Sequence, residues 1–437
     1  MRKVSCAGYR STVPDRTATH SRKEHQMRVA SSPARAGKKL YIVAVVMTVM
    51  MAACSTGGAD RGSGADRFAD IPEMTLRVQS ANAPDTAPSR AFTVWQEAVE
   101  EATDGRLTFE MFYAGALAPL DEVEEALSSG LVDIATHVPA YSPAEFPHDS
   151  TVQRLNSLVE PAPLGTLQGL GAQTEFALGG WAEDQFAAQG LKPLLVPAAM
   201  ISSMQLVCGD EPVRSLAEAE GIRVRVPSEH HGTEATALGM TPTATTNAEL
   251  YEAVQRGIVD CAVMSPQDVR DLGLVDVIDH WMLDQQAGFS GFSSFHLSMS
   301  KSTWDTLPVE AQRVLWDTAG EAYLPAITEG YLNDVAETMS QAADAGVQFH
   351  SWRDDLRERM LAHQSAVIDS VRGEKDDGEA VVAGVVETHE KWAKLVRDLG
   401  YETQLGSFET WSSGSAGQLQ LDSFIGSVVE LREAHRP

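Results

Sequence analysis

Short apolar strands alternate with longer amphipathic stretches along most of the chain. Thr75-Leu-Arg-Val-Gln-Ser80 alternates apolar and polar positions, which predicts a strand. Phe92, Trp95, Val99 and Ala102 follow at helical spacing and are closed by Asp104-Gly105. Leu107-Thr-Phe-Glu-Met-Phe-Tyr113 is the next strand. Further on, Ser203 to Cys208 reads as a strand, Pro212 to Glu220 as a helix, and Gly221-Ile-Arg-Val-Arg-Val226 as a strand stopped by Pro227. Phe292 to Met299 is another strand. Leu307-Pro308 opens a long helix reaching Ala345, with proline at its first position. At 1.5 Å per residue it is about 50 Å long, enough to cross two domains. Val347 to Ser351 reads as a further strand, followed by helices over about 353–372 and 379–398. The tail after Gly400 is rich in Gly and Ser and has no assignable pattern.

One pattern occurs twice. Glu122-Val-Glu-Glu-Ala-Leu-Ser-Ser-Gly130-Leu-Val-Asp133-Ile-Ala135 aligns without gaps on Glu249-Leu-Tyr-Glu-Ala-Val-Gln-Arg-Gly257-Ile-Val-Asp260-Cys-Ala262, with seven of 14 positions identical. Each copy is an amphipathic helix stopped by a glycine, which takes the left-handed conformation that ends helices, and followed at once by a buried strand. The copies stand 127 residues apart, which predicts two α/β domains of related build.

Composition narrows the function. A hydrophobic share of 43% over 437 residues supports large cores in two or three domains and excludes global disorder. A net charge of −27 argues against a nucleic-acid partner and against an anionic membrane surface. The charge is uneven: ten bases and two acids precede Cys54, a head of +8, while 24 bases and 59 acids follow, a body of −35. A basic head on an acidic body points to a processed precursor. Lys38-Lys39 precede an apolar run from Leu40 to Ala53, too short to span a bilayer and of the length of a signal core. Small residues then lead into Cys54, as in a bacterial lipobox, so we expect cleavage before Cys54 and a diacylglycerol on its sulfur. On this reading residues 1–53 are a signal peptide (with Met27 a plausible true start) and 54–72 a flexible tether holding the body to the membrane.

The ordered landmarks of the body resemble the substrate-binding proteins of TRAP transporters, the DctP-like family. They are Gly115-Ala-Leu117, Gly130-Leu-Val-Asp133, Val213-Arg-Ser-Leu216, Gly221-Ile-Arg-Val-Arg225-Val-Pro227, Glu249-Leu-Tyr251, Gln255-Arg-Gly257-Ile-Val-Asp260 and Ser300-Lys-Ser-Thr-Trp304-Asp-Thr-Leu-Pro308. The resemblance implies a two-domain α/β clamp with a long helix crossing both lobes. Domain I would hold 73–202 plus about 291–330, domain II 203–290 plus about 331–400, and 401–437 would be a C-terminal extension. It also implies a small organic acid in the cleft, delivery to TRAP membrane subunits, and no ATP, metal or cofactor.

By the same resemblance Arg225 stands at the carboxylate-clamp position, where a planar guanidinium offers two parallel donors. Alternation puts Arg223 and Arg225 on one strand face. Other family positions have changed: Gln205 replaces a second Arg, Asn247 an aromatic, and Met264-Ser265-Pro266 part of a Gln-Glu-Asn-Pro segment. These departures shift the expected ligand from a simple dicarboxylate or a sialic acid to a monocarboxylate with an apolar or aromatic body. Its walls would come from Tyr113, His137, Tyr141, Met200, Met264, Trp281 and Phe289, with plain core packing the ordinary role for most aromatics and methionines. His137 follows a strand whose end faces such clefts. Cys208 and Cys261 sit in strand-like runs. Buried free thiols are the expectation, with a disulfide chemically open to an exported chain. His230-His231 lacks the spacing of a zinc helix, and the chain has no nucleophile elbow, P-loop or GxGxxG motif. The alternatives are an exported α/β hydrolase with His137 or His230 as base, and a sensory lipoprotein that presents its ligand to a receptor.

Overall fold

The computed structural model describes residues 71–437 apart from 244, 246, 375–376 and 414–418, so Cys54, the signal segment and most of the tether lie outside the described residues. Among the described residues, eleven strands form two sheets. They are β1 (Met74–Gln79), β2 (Leu107–Phe112), β3 (Ile134–His137), β4 (Leu191–Ile201), β5 (Gln205–Cys208), β6 (Arg223–Arg225), β7 (Thr241–Thr243), β8 (Cys261–Met264), β9 (His280–Met282), β10 (Phe292–Ser300) and β11 (Gln348–His350). The first sheet runs β2-β1-β3-β10-β4 and the second β11-β9-β5-β8-β6-β7. In the first, β1 is parallel to β2 and β3, and β10 is antiparallel to β3 and β4. In the second, β6 is parallel to β7 and β8, and β5 is antiparallel to β8 and β9. Apart from edge strand β11, the two orders superpose strand for strand, so each repeat copy occupies the same place in its own sheet.

The likeness extends to side chains outside the repeat. The Asp ending each copy's Gly-x-Val-Asp run holds an arginine on the neighbouring strand. Asp133 accepts from the backbone N–H and Nε of Arg77 at 2.8 and 3.0 Å, and Asp260 accepts from the same atoms of Arg223 at 2.8 and 3.0 Å. Register matches too: Val78 faces Ile134 as Val224 faces Cys261. Two residues beyond each arginine come Gln79 and Arg225, which are therefore structural counterparts.

The chain passes from the first sheet to the second between Ile201 and Gln205 and returns between Met282 and Phe292. The two crossings lie side by side, bridged at Met204 and Phe289. A Cβ on Gly291 would stand 2.6 Å from the Ser202 carbonyl oxygen, so this approach needs glycine. A third link is the rod formed by Val309–Thr318, a π-turn at Ala319–Tyr323, and Leu324–Ala345. Leu324–Ala345 packs on Ala87–Ala102 of the first lobe and Pro266–Asp271 of the second. Its buried Asp334 accepts from Arg90 at 3.2 Å and Arg270 at 2.6 Å, one arginine from each lobe.

Three expectations change here. Pro212 to Glu220 is helical only over Leu216–Ala219, where Ser215 caps the turn by accepting from the Glu218 N–H. The patternless tail packs on the body. Trp411 donates to the Leu332 carbonyl at 2.6 Å, and Arg432 of helix Asp422–Glu433 donates to the Leu194 and Trp316 carbonyls at 2.7 and 2.8 Å. Cys208 and Cys261 are not free thiols but a disulfide, with an S–S distance of 2.04 Å. The reason is register: β5 and β8 are antiparallel neighbours and the two cysteines face each other across them. The bond joins residues 53 apart, which on the chain-entropy model contributes about 4 kcal/mol. The double variant Cys208→Ala/Cys261→Ala is expected to unfold on the order of 10 °C lower by calorimetry. An unchanged Tm would mean that the crosslink carries no stability.

Candidate functional site

The site grows from one end of three adjacent strands, β5, β8 and β6. Arg225 closes β6 and pairs in register with Ala262 of β8. It is only 6% exposed, and its Nη1 donates toward the Val263 carbonyl at 3.4 Å and the Met264 sulfur at 3.2 Å. Met264 ends β8 opposite Gln205, the first residue of β5. Gln205 is buried and its amide donates to the Ser203 carbonyl and hydroxyl, each at 3.2 Å. Ser265 caps the helix Pro266–Asp271: its Oγ accepts from the Asp268 N–H at 3.1 Å and donates to Asp268 Oδ2 at 2.7 Å. Arg225, Gln205, Met264 and Ser265 thus share one corner of the second sheet. Arg223, two residues earlier, lies instead at the exposed end of β6, committed to Asp260.

Burial pulls the Arg225 guanidinium below its usual value, opposed by Asp268 and then Tyr141. Burial also pushes the Asp268 carboxyl up, opposed by Ser265 and then Arg225. Tyr141, from the first lobe, and Tyr331, on the long helix, are both raised by burial; Tyr141 responds to Arg225 and Asp268, and Tyr331 to Asp268. Arg225 and Asp268 of the second lobe are thus electrostatically coupled to Tyr141 of the first lobe, and Asp268 to Tyr331 of the rod joining the two. Beside them His231 accepts from Ser228 Oγ at 2.7 Å through Nδ1 and donates from Nε2 to the Ser290 carbonyl at 3.0 Å. Burial first of all pulls its pKa down to about 4, so the ring is neutral near pH 7. A cavity of about 460 Å³ has Ala140, Gln153 and Arg154 on the first-lobe side and Ser228, His230 and His363 on the other, and its lining includes none of Arg225, Gln205, Met264, Ser265 or Asp268. A cavity of about 500 Å³ between helices Leu164–Leu178 and Gly378–Asp398, lined by Glu175, Phe176, Thr388 and Lys391 among others, likewise includes none of the clamp corner's residues.

The remaining expected wall residues lie elsewhere. His137 is buried between Phe146 and Phe186, with ring centroids at 5.0 and 5.6 Å, and burial pulls its pKa down to about 3. Tyr113 stands half-buried in the loop after β2, where its carbonyl accepts from the Ala116 N–H. Met200, Trp281 and Phe289 are buried in the core. Asn247 opens the helix Asn247–Gln255, and its side chain lies outside the described part of the structure. Asp268 and Tyr331 are residues that the sequence reading passed over. Asp268 had a signal, since Ser265-Pro-Gln-Asp268 is a helix-start pattern. Tyr331 had none, being one apolar-face position of a long helix. Among the described residues, no three His, Cys, Asp or Glu side chains converge to hold a metal, and no helix is long and apolar enough to cross a membrane.

Residues 78–374 match the model of DctP, the bacterial extracellular solute-binding protein family 7. The chain belongs to this family. Like other DctP-family chains it is a TRAP-type solute-binding protein rather than a member of an enzyme family. It is 22% identical over 324 residues to the C4-dicarboxylate-binding periplasmic protein DctP of Rhodobacter capsulatus, covering 69% of this chain and 92% of that one. It is 24% identical over 241 residues to a monocarboxylate 2-oxoacid-binding periplasmic protein of a Nostoc species, covering 53% and 61%. Among solved structures, a marine metagenome TRAP solute-binding protein specific for aromatic acids has a TM-score of 0.63 at 20% identity, covering 73% of this chain and 99% of that one. A TRAP protein from Sulfitobacter sp. NAS-14.1 with bound β-D-galacturonate has a TM-score of 0.60 at 19% identity, covering 71% and 99%. A Bordetella pertussis receptor binding pyroglutamic acid has a TM-score of 0.60 at 16% identity, covering 72% and 99%. These likenesses give the two-domain binding-protein fold.

Proposed function

We propose that this DctP-family protein captures a small organic acid between its lobes, holds the carboxylate on Arg225, and delivers it to the membrane subunits of a TRAP transporter. The observation that carries the reading is Arg225 itself: a buried guanidinium at the end of an interior strand, coupled electrostatically to Asp268 and to Tyr141 of the other lobe. A guanidinium in that setting is worth far more to a carboxylate than a surface lysine, because little water screens it. A single clamp arginine beside the Met264 thioether suits a monocarboxylate with an apolar or aromatic body. The ligands named for its relatives, a C4-dicarboxylate, 2-oxoacids, aromatic acids, galacturonate and pyroglutamate, are all acids. Gln205, Ser265 and Met264 are proposed as the clamp's close partners, and Asn247 as an outer contributor. The body is proposed to ride on a lipid at Cys54.

A thermal-shift screen of mono- and dicarboxylates tests this. A ligand at a hundred times its Kd is expected to stabilise the protein by about 2.7 kcal/mol, and to be recovered unchanged. Consumption of the ligand would favour the hydrolase reading instead.

A further inference from the structure

We infer that Asp268 is a second ligand contact and selects acids that carry an N–H or O–H donor on the carbon beside the carboxylate. This rests on the reading of Arg225 given above and names the substrate class for that same site.

Asp268 is held but not used up. Its Oδ2 accepts from Ser265 Oγ at 2.7 Å, and among the described residues no hydrogen bond to its Oδ1 accompanies it. A helix-start role does not account for it. A capping acid at this position reaches back to the backbone N–H of the cap residue. Asp268 instead binds the cap's hydroxyl, which leaves one oxygen directed elsewhere. The same short turn, Met264-Ser265, touches Arg225 through the Met264 sulfur and orients Asp268 through Ser265, so guanidinium and carboxylate are fixed relative to each other. Arg225, Tyr141, Tyr331 and Asp271 are the groups that Asp268 feels.

The pair's charges decide what fits. An ionised Arg225–Asp268 pair has no net charge before a ligand arrives. A plain carboxylate on Arg225 would sit beside a second anion in a poorly screened place. A 2-hydroxy group or a lactam N–H turns that repulsion into a charge-assisted hydrogen bond. A 2-ammonium group goes further, since the zwitterion then mirrors the pair. The pyroglutamate named for one structural relative carries such an N–H.

The test is calorimetry on three pairs: pyroglutamate with cyclopentanecarboxylate, mandelate with phenylacetate, and lactate with propionate. Phenylglycine, added to the second pair, separates the ammonium from the hydroxyl. In the wild type the donor-bearing member of at least one pair is expected to bind tenfold or more tightly. In Asp268→Asn, nearly isosteric and uncharged, that ratio is expected to fall toward one, mainly because the donor-free acid binds more tightly. A ratio unchanged in Asp268→Asn, a wild type that prefers donor-free acids, or no binding by any of the seven would overturn the inference. Failure of the underlying reading looks different: Arg225→Ala would then bind both members of a pair as the wild type does.

Discussion

Arg225→Ala is expected to lose binding of the acid ligand by roughly 10²–10³-fold. Truncating one partner of a desolvated, hydrogen-bonded charge pair costs about 2–5 kcal/mol, and each 1.4 kcal/mol is tenfold in affinity. The loss should fall mainly on the dissociation rate, because the clamp acts at short range after encounter. Arg225→Lys keeps the charge but loses the two-pronged donor geometry, and an intermediate loss is expected. The body's net charge of −35 does not argue against such a site. Its acids are spread over the surface and screened by salt within about 10 Å, while the guanidinium is only 6% exposed. Because Arg225 also neutralises Asp268 in the ligand-free protein, the Ala variant should lose some stability. Its circular dichroism and Tm are therefore to be measured beside its affinity.

Acid is expected to destabilise this protein from about pH 6.5 downward. His230, His231 and His389 are held at about 4 and His137 at about 3, in each case mainly because burial disfavours the imidazolium. Unfolded, each ring takes up a proton near pH 6.5, but folded it does not. The stabilisation is complete above pH 6.5 and is lost as pH falls from there toward 4. Fully exerted, one such ring costs about 3 kcal/mol, a large part of the 5–15 kcal/mol that holds a typical domain together. The raised carboxyls of Asp268 and Glu124 act in the opposite sense, gaining stability as pH falls. Urea midpoints at pH 7.5, 5.5 and 4.5 should therefore fall steeply. His137→Phe, which keeps an aromatic ring among Phe146 and Phe186, should blunt the fall; equal midpoints at pH 7.5 and 4.5 would refute the account.

The sequence carried local periodicity well and pairing poorly. The strand ending at Ser80, the helix through Trp95 and both repeat copies appear where the pattern put them, because each buries a face that its own spacing defines. The repeat understated its own extent. Arg77 and Arg223 hold equivalent aspartates, yet they lie outside the aligned segments. The disulfide was hidden for the same reason: spacing along the chain does not say that β5 returns beside β8. The stretch from 147 to 201, with helix Leu164–Leu178 and strand β4, showed no clean period because the helix is buried almost all round. At the candidate site, the family resemblance singled out Arg225, Met264, Ser265 and Gln205, and the structure gathers them at one corner of the second sheet. Tyr331 reaches the site only through the docking of the long rod, and Asp268 through the turn of a six-residue helix.

Calorimetry of the wild type with the tightest acid from the screen and with that acid's primary amide addresses the clamp most directly. The amide keeps the body and the carbonyl but removes the negative charge. The clamp predicts that it binds at least a hundredfold more weakly than the acid. An amide that binds as tightly as its acid would contradict the assignment of Arg225 as the carboxylate anchor.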